Sequence, residues 1–230
     1  MMRNRRPLGL LLSLTAAVVM ALPALAFADN ALRDRLEHLR GAGAPRVAGV
    51  RLSSLPVLDQ FYRERDYRFA WDSGEQVNDL REVAERSRED GLEPEDFHAR
   101  EIEALVGHRS PAQLPEQSRI DAELLLSDGL LRYIRYSRYG KVDPRALDNK
   151  WNHDEGPQSH RLVQDLTRAA GAGDLQGELD AMMRRPAFYT RLKTGLERYR
   201  ALAAAGGWPS VPPGRTLKPG MRDVHIPLIR

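Results

Sequence analysis

Between Pro115 and Gly140 the chain carries an apolar pattern that restricts the fold more than any other stretch. Ile120, Leu124, Ser127, Leu131 and Ile134 recur at helical spacing, and so do Leu126, Leu130, Tyr133 and Ser137 on a second face. A helix with two apolar faces needs neighbours on both sides, which makes it the middle of a bundle. Ser118 is the expected cap, and Gly140 the residue that ends the helix in a left-handed conformation.

The flanking segments read as helices too. Leu32, Leu36 and Leu39 form a short stripe, followed by "GAGAPRVAGVR" (Gly41–Arg51), expected as a loose linker. Ser53 or Ser54 caps a helix carrying Leu58, Phe61 and Tyr62, and "YRFAW" (Tyr67–Trp71) is assigned neither to helix nor to strand. Ser73 and Gln76 have capping-box spacing ahead of Val77, Leu80, Ala84 and Ser87. Gly91 and Leu92 fit a helix C-terminus. Further helices are expected over Ala99–Val106, around Leu162, Leu166 and Ala169, around Leu175, Leu179 and Met182, and from Pro186 through Tyr189, Leu192, Leu196 and Tyr199 to Gly206-Gly207. The fold class is mostly all-α: an irregular multi-helix domain with long loops.

The N-terminus addresses the compartment. Arg3, Arg5 and Arg6 precede an apolar run from Leu8 to about Leu22, and Ala24-Leu25-Ala26 and Ala26-Phe27-Ala28 are cleavage-type sequences. This is the pattern of a secretory signal peptide over residues 1–28, with the periplasm as destination and no membrane span after cleavage; uncleaved, it would be an inner-membrane anchor. The formal net charge of +3 equals the three arginines of this leader, so a chain starting near Asp29 is formally neutral. A bulk electrostatic case for nucleic acid therefore disappears. The chain has no cysteine, which removes disulfides, a thiol nucleophile and zinc–thiolate sites.

Several stretches could carry chemistry. Arg132, Arg135 and Arg138 alternate with Tyr133, Tyr136 and Tyr139 within eight residues. The pattern has the composition of a nucleic-acid stripe. At this spacing the two residue types spiral around a helix end, where cations complement the macrodipole and tyrosine rings pack, so no nucleic-acid partner is assigned. His153, Asp154, Glu155 and His160 lie close together but lack helical metal-site geometry, and they read as a solvated loop; no metal and no cofactor are assigned. Glu89, Asp90, Glu93, Glu95 and Asp96 crowd around Gly91. A peptidoglycan-cleaving glycosidase needs a buried carboxyl acid, and this acidic turn reads as exposed. Tyr62, Trp71, Trp151 and Trp208 are groove candidates that also suit core or loop anchors. There is no serine-hydrolase motif, and no catalytic residue is assigned.

Taken in order, "LDQFYRERDYRFAW", "AERSREDGLEPEDF", "IDAELLLSDGLLRYIRYSRYGKVDP", "NKW", "RRPAFYTRLKTGLERYR" and "GGWPSVPPGRTLKPGMRD" give the chain a family likeness. It resembles the N-terminal scaffold region of the large murein L,D-transpeptidases of Gram-negative bacteria, from about Leu55 to Asp223. The resemblance implies a role in 3-3 cross-linking of peptidoglycan stem peptides. It also implies that the catalytic cysteine and histidine lie in a separate β-rich domain C-terminal to this region, where a thiolate forms the acyl-enzyme. No position here matches either residue. "TLKPGMRDVHIPLIR" resembles the opening of a peptidoglycan-binding-like segment, and the chain is expected to be truncated within it. The expected organisation is a signal peptide (1–28), an N-terminal helix and flexible linker (29–52), a helical scaffold domain (53–209), and a linker with the start of the binding-like segment (210–230).

The partners implied are peptidoglycan or its stem peptides and the missing catalytic domain. Trp71, Arg132, Arg135, Tyr136 and Arg138 are the candidates for substrate contact. A second reading is a free-standing periplasmic adaptor for the cell wall or a cell-wall protein. A third is a carboxylate-dependent murein hydrolase working through Glu93 or another turn carboxylate.

Overall fold

The computed structural model describes residues 31–52, 54–148, 150, 158–183, 185–208 and 210–229. The signal-like leader, Ser53, Trp151, His153, Asp154 and Glu155 lie outside the described residues. The chain divides into two units, one made of the residues up to Arg88 with Leu92–Arg184, the other of Glu89–Gly91 with Arg185–Arg230.

The first unit is mostly α-helical, as its periodicity requires. Residues 31–41 form α1, and Leu32, Leu36 and Leu39 are all buried. The expected loose linker is instead a short antiparallel hairpin, β1 (Arg46–Val47) with β2 (Val50–Arg51). The turn between them holds Ala48 and Gly49 at φ 46° and 81°, the positive-φ pair that matches strand twist in a two-residue hairpin. Buried Val47 and Leu52 tie this segment to the core, so it is not free to act as a linker.

Helix α2 spans Leu55–Glu64. Ser54 occupies its N-cap position, but only the backbone caps: the Ser54 carbonyl accepts from Val57 and Leu58, and the hydroxyl makes no capping bond. Helix α3 (Gly74–Arg86) begins in the expected capping box, with the Gln76 amide donating to Ser73 Oγ at 3.1 Å and the Ser73 amide to Gln76 Oε1 at 3.2 Å. A 3₁₀ turn over Ser87–Asp90 follows, Gly91 takes φ 79°, and the Leu92 amide returns to the Ser87 carbonyl. A second 3₁₀ turn (Pro94–Phe97) leads into α4 (Ala99–Val106).

The long helix α5 runs Glu116–Tyr139. It starts at Pro115, not at Ser118, because proline already holds a fixed φ and its carbonyl accepts the Arg119 amide. Gly140 ends it at φ 87° and ψ 156°, outside the expected left-handed helical basin but still in a region glycine alone occupies readily. Every residue from Ala122 to Leu131 is buried. Helices α2, α3 and α4, the Pro94–Phe97 turn and α7 (Ser159–Ala170) all pack on α5, and α7 also packs on α2. Between α5 and α7, Pro144–Leu147 forms one turn (α6). Helix α8 (Leu175–Met182) leans on α3 and α7.

In the second unit, α9 (Ala187–Ala204) follows Pro186, and Gly206 and Gly207 at positive φ stop it. Its apolar spacing leads one to expect a buried face, yet no residue of α9 is buried. Residues Ile226–Ile229 form a last single turn, α10.

Candidate functional site

The chemistry of the first unit is concentrated inside α5. Two acids, Glu123 and Asp128, sit within the apolar run and are fully buried. Each is answered four residues later on the same helix face, Glu123 by Ser127 and Asp128 by Arg132.

Glu123 faces the irregular stretch that follows α2. There Asp66 and Tyr67 take φ 53° and 59°, a left-handed turn closed by the Tyr67 amide on the Tyr62 carbonyl at 2.7 Å. Arg65 braces the chain by donating to the carbonyls of Arg68 and Phe69 at 3.0 Å each. The segment that follows is neither strand nor helix, so its amides lack ladder partners. Glu123 supplies them: Oε1 accepts from the Ala70 amide at 2.6 Å and Oε2 from the Trp71 amide at 3.2 Å. The Tyr62 hydroxyl donates to Glu123 Oε1 at 2.9 Å and lies 2.6 Å from Ser127 Oγ, which accepts from the Trp71 indole at 2.9 Å. The network thus runs from indole to serine to phenol to carboxylate.

Burial dominates the acidity of these groups. It lifts the Glu123 carboxyl to about 7, against the opposing pull of the bonds from Ala70, Tyr62 and Trp71. Burial, and then the nearby Glu123 charge, hold the Tyr62 hydroxyl well above its ordinary range. A carboxyl near neutrality suits a general acid in principle. Here both oxygens are spent on the protein's own donors and the group is fully buried, so the arrangement stabilises the fold.

Asp128 makes the second cluster. His98 Nε2 and Arg132 Nε each lie 2.7 Å from its Oδ2. His98 joins the Pro94–Phe97 turn to α4 in a left-handed conformation (φ 63°), which aims its ring at α5. Arg132 also donates to the Arg51 carbonyl at 2.9 Å, tying β2 to α5. Next to this pair, Gly129 lets the Phe97 carbonyl approach α5: a β-carbon there would stand 2.6 Å from the Phe97 oxygen.

The candidates named from sequence scatter accordingly. Trp71 is 1 % exposed and Tyr62 is fully buried, so neither presents a face to solvent. Arg132 is committed to Asp128, and Arg138 pairs with Asp165 at 2.9 Å and donates to the Met182 carbonyl. Tyr133 and Tyr136 pack their rings against Phe97, so they build no flat stacking platform. Arg135 and Tyr136 remain partly exposed. Trp208 is exposed and packs on Tyr199, while His160 is exposed at the start of α7. The acidic turn is neutralised: Glu93 pairs with Arg88, Asp96 with Lys141, and within the second unit Asp90 pairs with Arg185 and Lys193 and Glu89 with Lys193. No cluster of metal-ligating side chains occurs among the described residues, and no described helix is long and apolar enough to cross a membrane.

These placements define testable roles for two neighbouring arginines. Arg132→Gln removes one partner of a buried charge-assisted pair, and is expected to lower stability by about 2 kcal/mol. Arg135→Gln should stay within about 0.5 kcal/mol of the parent, as surface changes do. Urea unfolding of both variants checks this, and equal losses would contradict the assigned roles.

Fold and polar spine together define a helical framework. The chain belongs to the Scaffold domain family, whose pattern it matches over residues 56–196. No curated protein and no solved structure matches it.

Proposed function

We propose that this chain is the scaffold portion of a periplasmic murein L,D-transpeptidase, serving peptidoglycan 3-3 cross-linking. The support is the Scaffold domain match over 56–196, coinciding with the ordered stretches that resemble the corresponding region of those enzymes. A thiolate reaction needs a cysteine, and this sequence has none. In this reading the nucleophile and its histidine belong to a separate domain. The helices around α5 supply a fixed frame that holds that domain toward its stem-peptide substrate. Arg135 and Tyr136, partly exposed and, unlike Arg132 and Arg138, not paired with a buried acid among the described residues, are where contact with peptidoglycan would fall.

The test is an in-frame deletion of residues 56–196 from the chromosomal gene, followed by muropeptide analysis. The expected result is a marked fall in 3-3 cross-linked dimers, restored by the intact gene. Unchanged 3-3 cross-links would overturn the reading. The lack of a cysteine also suits a periplasmic adaptor. Unchanged cross-links combined with sedimentation of the purified chain with isolated sacculi would favour that alternative.

A further inference from the structure

Helix α9 carries an apolar seam that its own unit leaves largely open, with Trp208 packed against Tyr199 near one end. Phe188, Leu192, Gly195, Tyr199 and Leu202 follow one another at steps of four, three, four and three residues. At 3.6 residues per turn they lie within about 80° of arc over about 21 Å. The large side chains of this seam are 54 %, 63 %, 62 % and 38 % exposed in that order. A narrow seam with this alternation matches another helix, which seats its side chains as knobs between those of the first. Gly195, at its centre, is the hole: a β-carbon there would meet nothing within 4 Å.

The two flanks of the seam differ. One is occupied by the unit's own Glu89–Gly91 turn, where Lys193 Nζ reaches Glu89 at 2.9 Å and Asp90 at 3.1 Å and the Leu196 side chain lies against Gly91. The other carries Arg191 and Arg198, one heptad apart, both exposed and without an ion pair among the described residues. A second copy of this chain fits poorly. Antiparallel pairing would set the cationic flank of Arg191 and Arg198 against the same cationic flank of the other copy. A membrane-lying helix needs a broader apolar face than this one.

We propose that α9 is a docking seam for an amphipathic helix of another protein, one whose apolar stripe is edged with aspartate and glutamate. The partner's acids meet Arg191 and Arg198, and a large apolar side chain fills the space at Gly195. This reading does not depend on the transpeptidase assignment, because peptide binding and muropeptide content fail independently.

The probes are two fluorescein-labelled 21-residue helical peptides with leucine at the seam positions. One carries glutamate on both flanks and the other lysine. Anisotropy against the full chain at 50 mM salt is expected to show at least tenfold tighter binding of the glutamate peptide. Leu192→Asp should abolish that binding, while circular dichroism stays unchanged, since the residue is exposed. The double variant Arg191→Glu/Arg198→Glu should reverse the preference. The proposal is overturned if neither peptide binds, if both bind equally, or if the double variant leaves the preference intact. It is equally overturned by a dimer that Leu192→Asp dissociates in sedimentation, or by binding to phosphatidylglycerol vesicles that Leu192→Asp removes.

Discussion

At about pH 4.5, Glu123→Ala is expected to lower the stability of this protein by on the order of 4 kcal/mol, a fall of about 10 °C or more in Tm. The change strips the acceptor from three buried donors at once, the amides of Ala70 and Trp71 and the hydroxyl of Tyr62. The site is buried, and the irregular turn after α2 loses the contact that holds its amides on α5. At the same pH Glu123→Gln should cost less, about 1–2 kcal/mol, because its amide oxygen still accepts from Ala70 and Tyr62 while its NH₂ faces the Trp71 amide donor to donor.

The pH dependence distinguishes a buried acid from an ordinary one. The folded protein holds the Glu123 proton up to about pH 7, whereas the unfolded chain releases it near the ordinary carboxyl value of 4.5. Between these values the folded state binds more protons than the unfolded state. Stability from this group is therefore fully present below about pH 4.5 and declines as the pH rises to about 7, by on the order of 3 kcal/mol. The diagnostic is the difference between parent and Glu123→Gln in urea unfolding from pH 4.5 to 8, which isolates this group. Parallel curves would show that Glu123 does not titrate as described.

Gly129→Ala is the second large effect, and its sign is informative. Helix propensity alone favours alanine in a helix interior by about 1 kcal/mol. The added methyl would stand 2.6 Å from the Phe97 carbonyl oxygen, which is backbone and cannot rotate away. Separating α5 from the Pro94–Phe97 turn disturbs the His98–Asp128 contact as well. Overpacking should exceed the propensity gain and leave the variant about 2–3 kcal/mol less stable. A variant as stable as the parent would mean that the turn shifts freely, and the close approach would then have no structural weight.

The helices were legible in the sequence because apolar spacing alone dictates them. The Ser73–Gln76 capping box and the buried stripes of α3, α7 and α8 stand where the periodicity places them. The hairpin at 46–51 was not legible, since two-residue strands carry no period and a Gly/Ala-rich run resembles a linker. The polar spine of α5 was concealed in another way. Counting apolar positions made "DAELLLSDGLL" look uniformly core-like, with Ser127 as an honorary apolar residue. The available signal was the i,i+4 pairing of Glu123 with Ser127 and of Asp128 with Arg132 inside that run. The partners supplied by other elements, such as the Ala70 and Trp71 amides and the His98 ring, exist only once the chain has folded. For the same reason Arg132 and Arg138 looked like surface cations, although buried acids on α5 and α7 hold them.

The burial of α5 on all sides also orders events during synthesis. Its neighbours α2, α3 and α4 precede it in the chain, but α7 is made later, beyond the segment around residue 150. A nascent chain that has just completed α5 therefore holds the longest helix of the unit, with its buried stretch Ala122–Leu131, uncovered on one flank. Exposed surface of this kind drives association between incomplete chains. The core closes only when α7 and then α8 arrive, so the last-made part of the unit converts a sticky intermediate into the native framework.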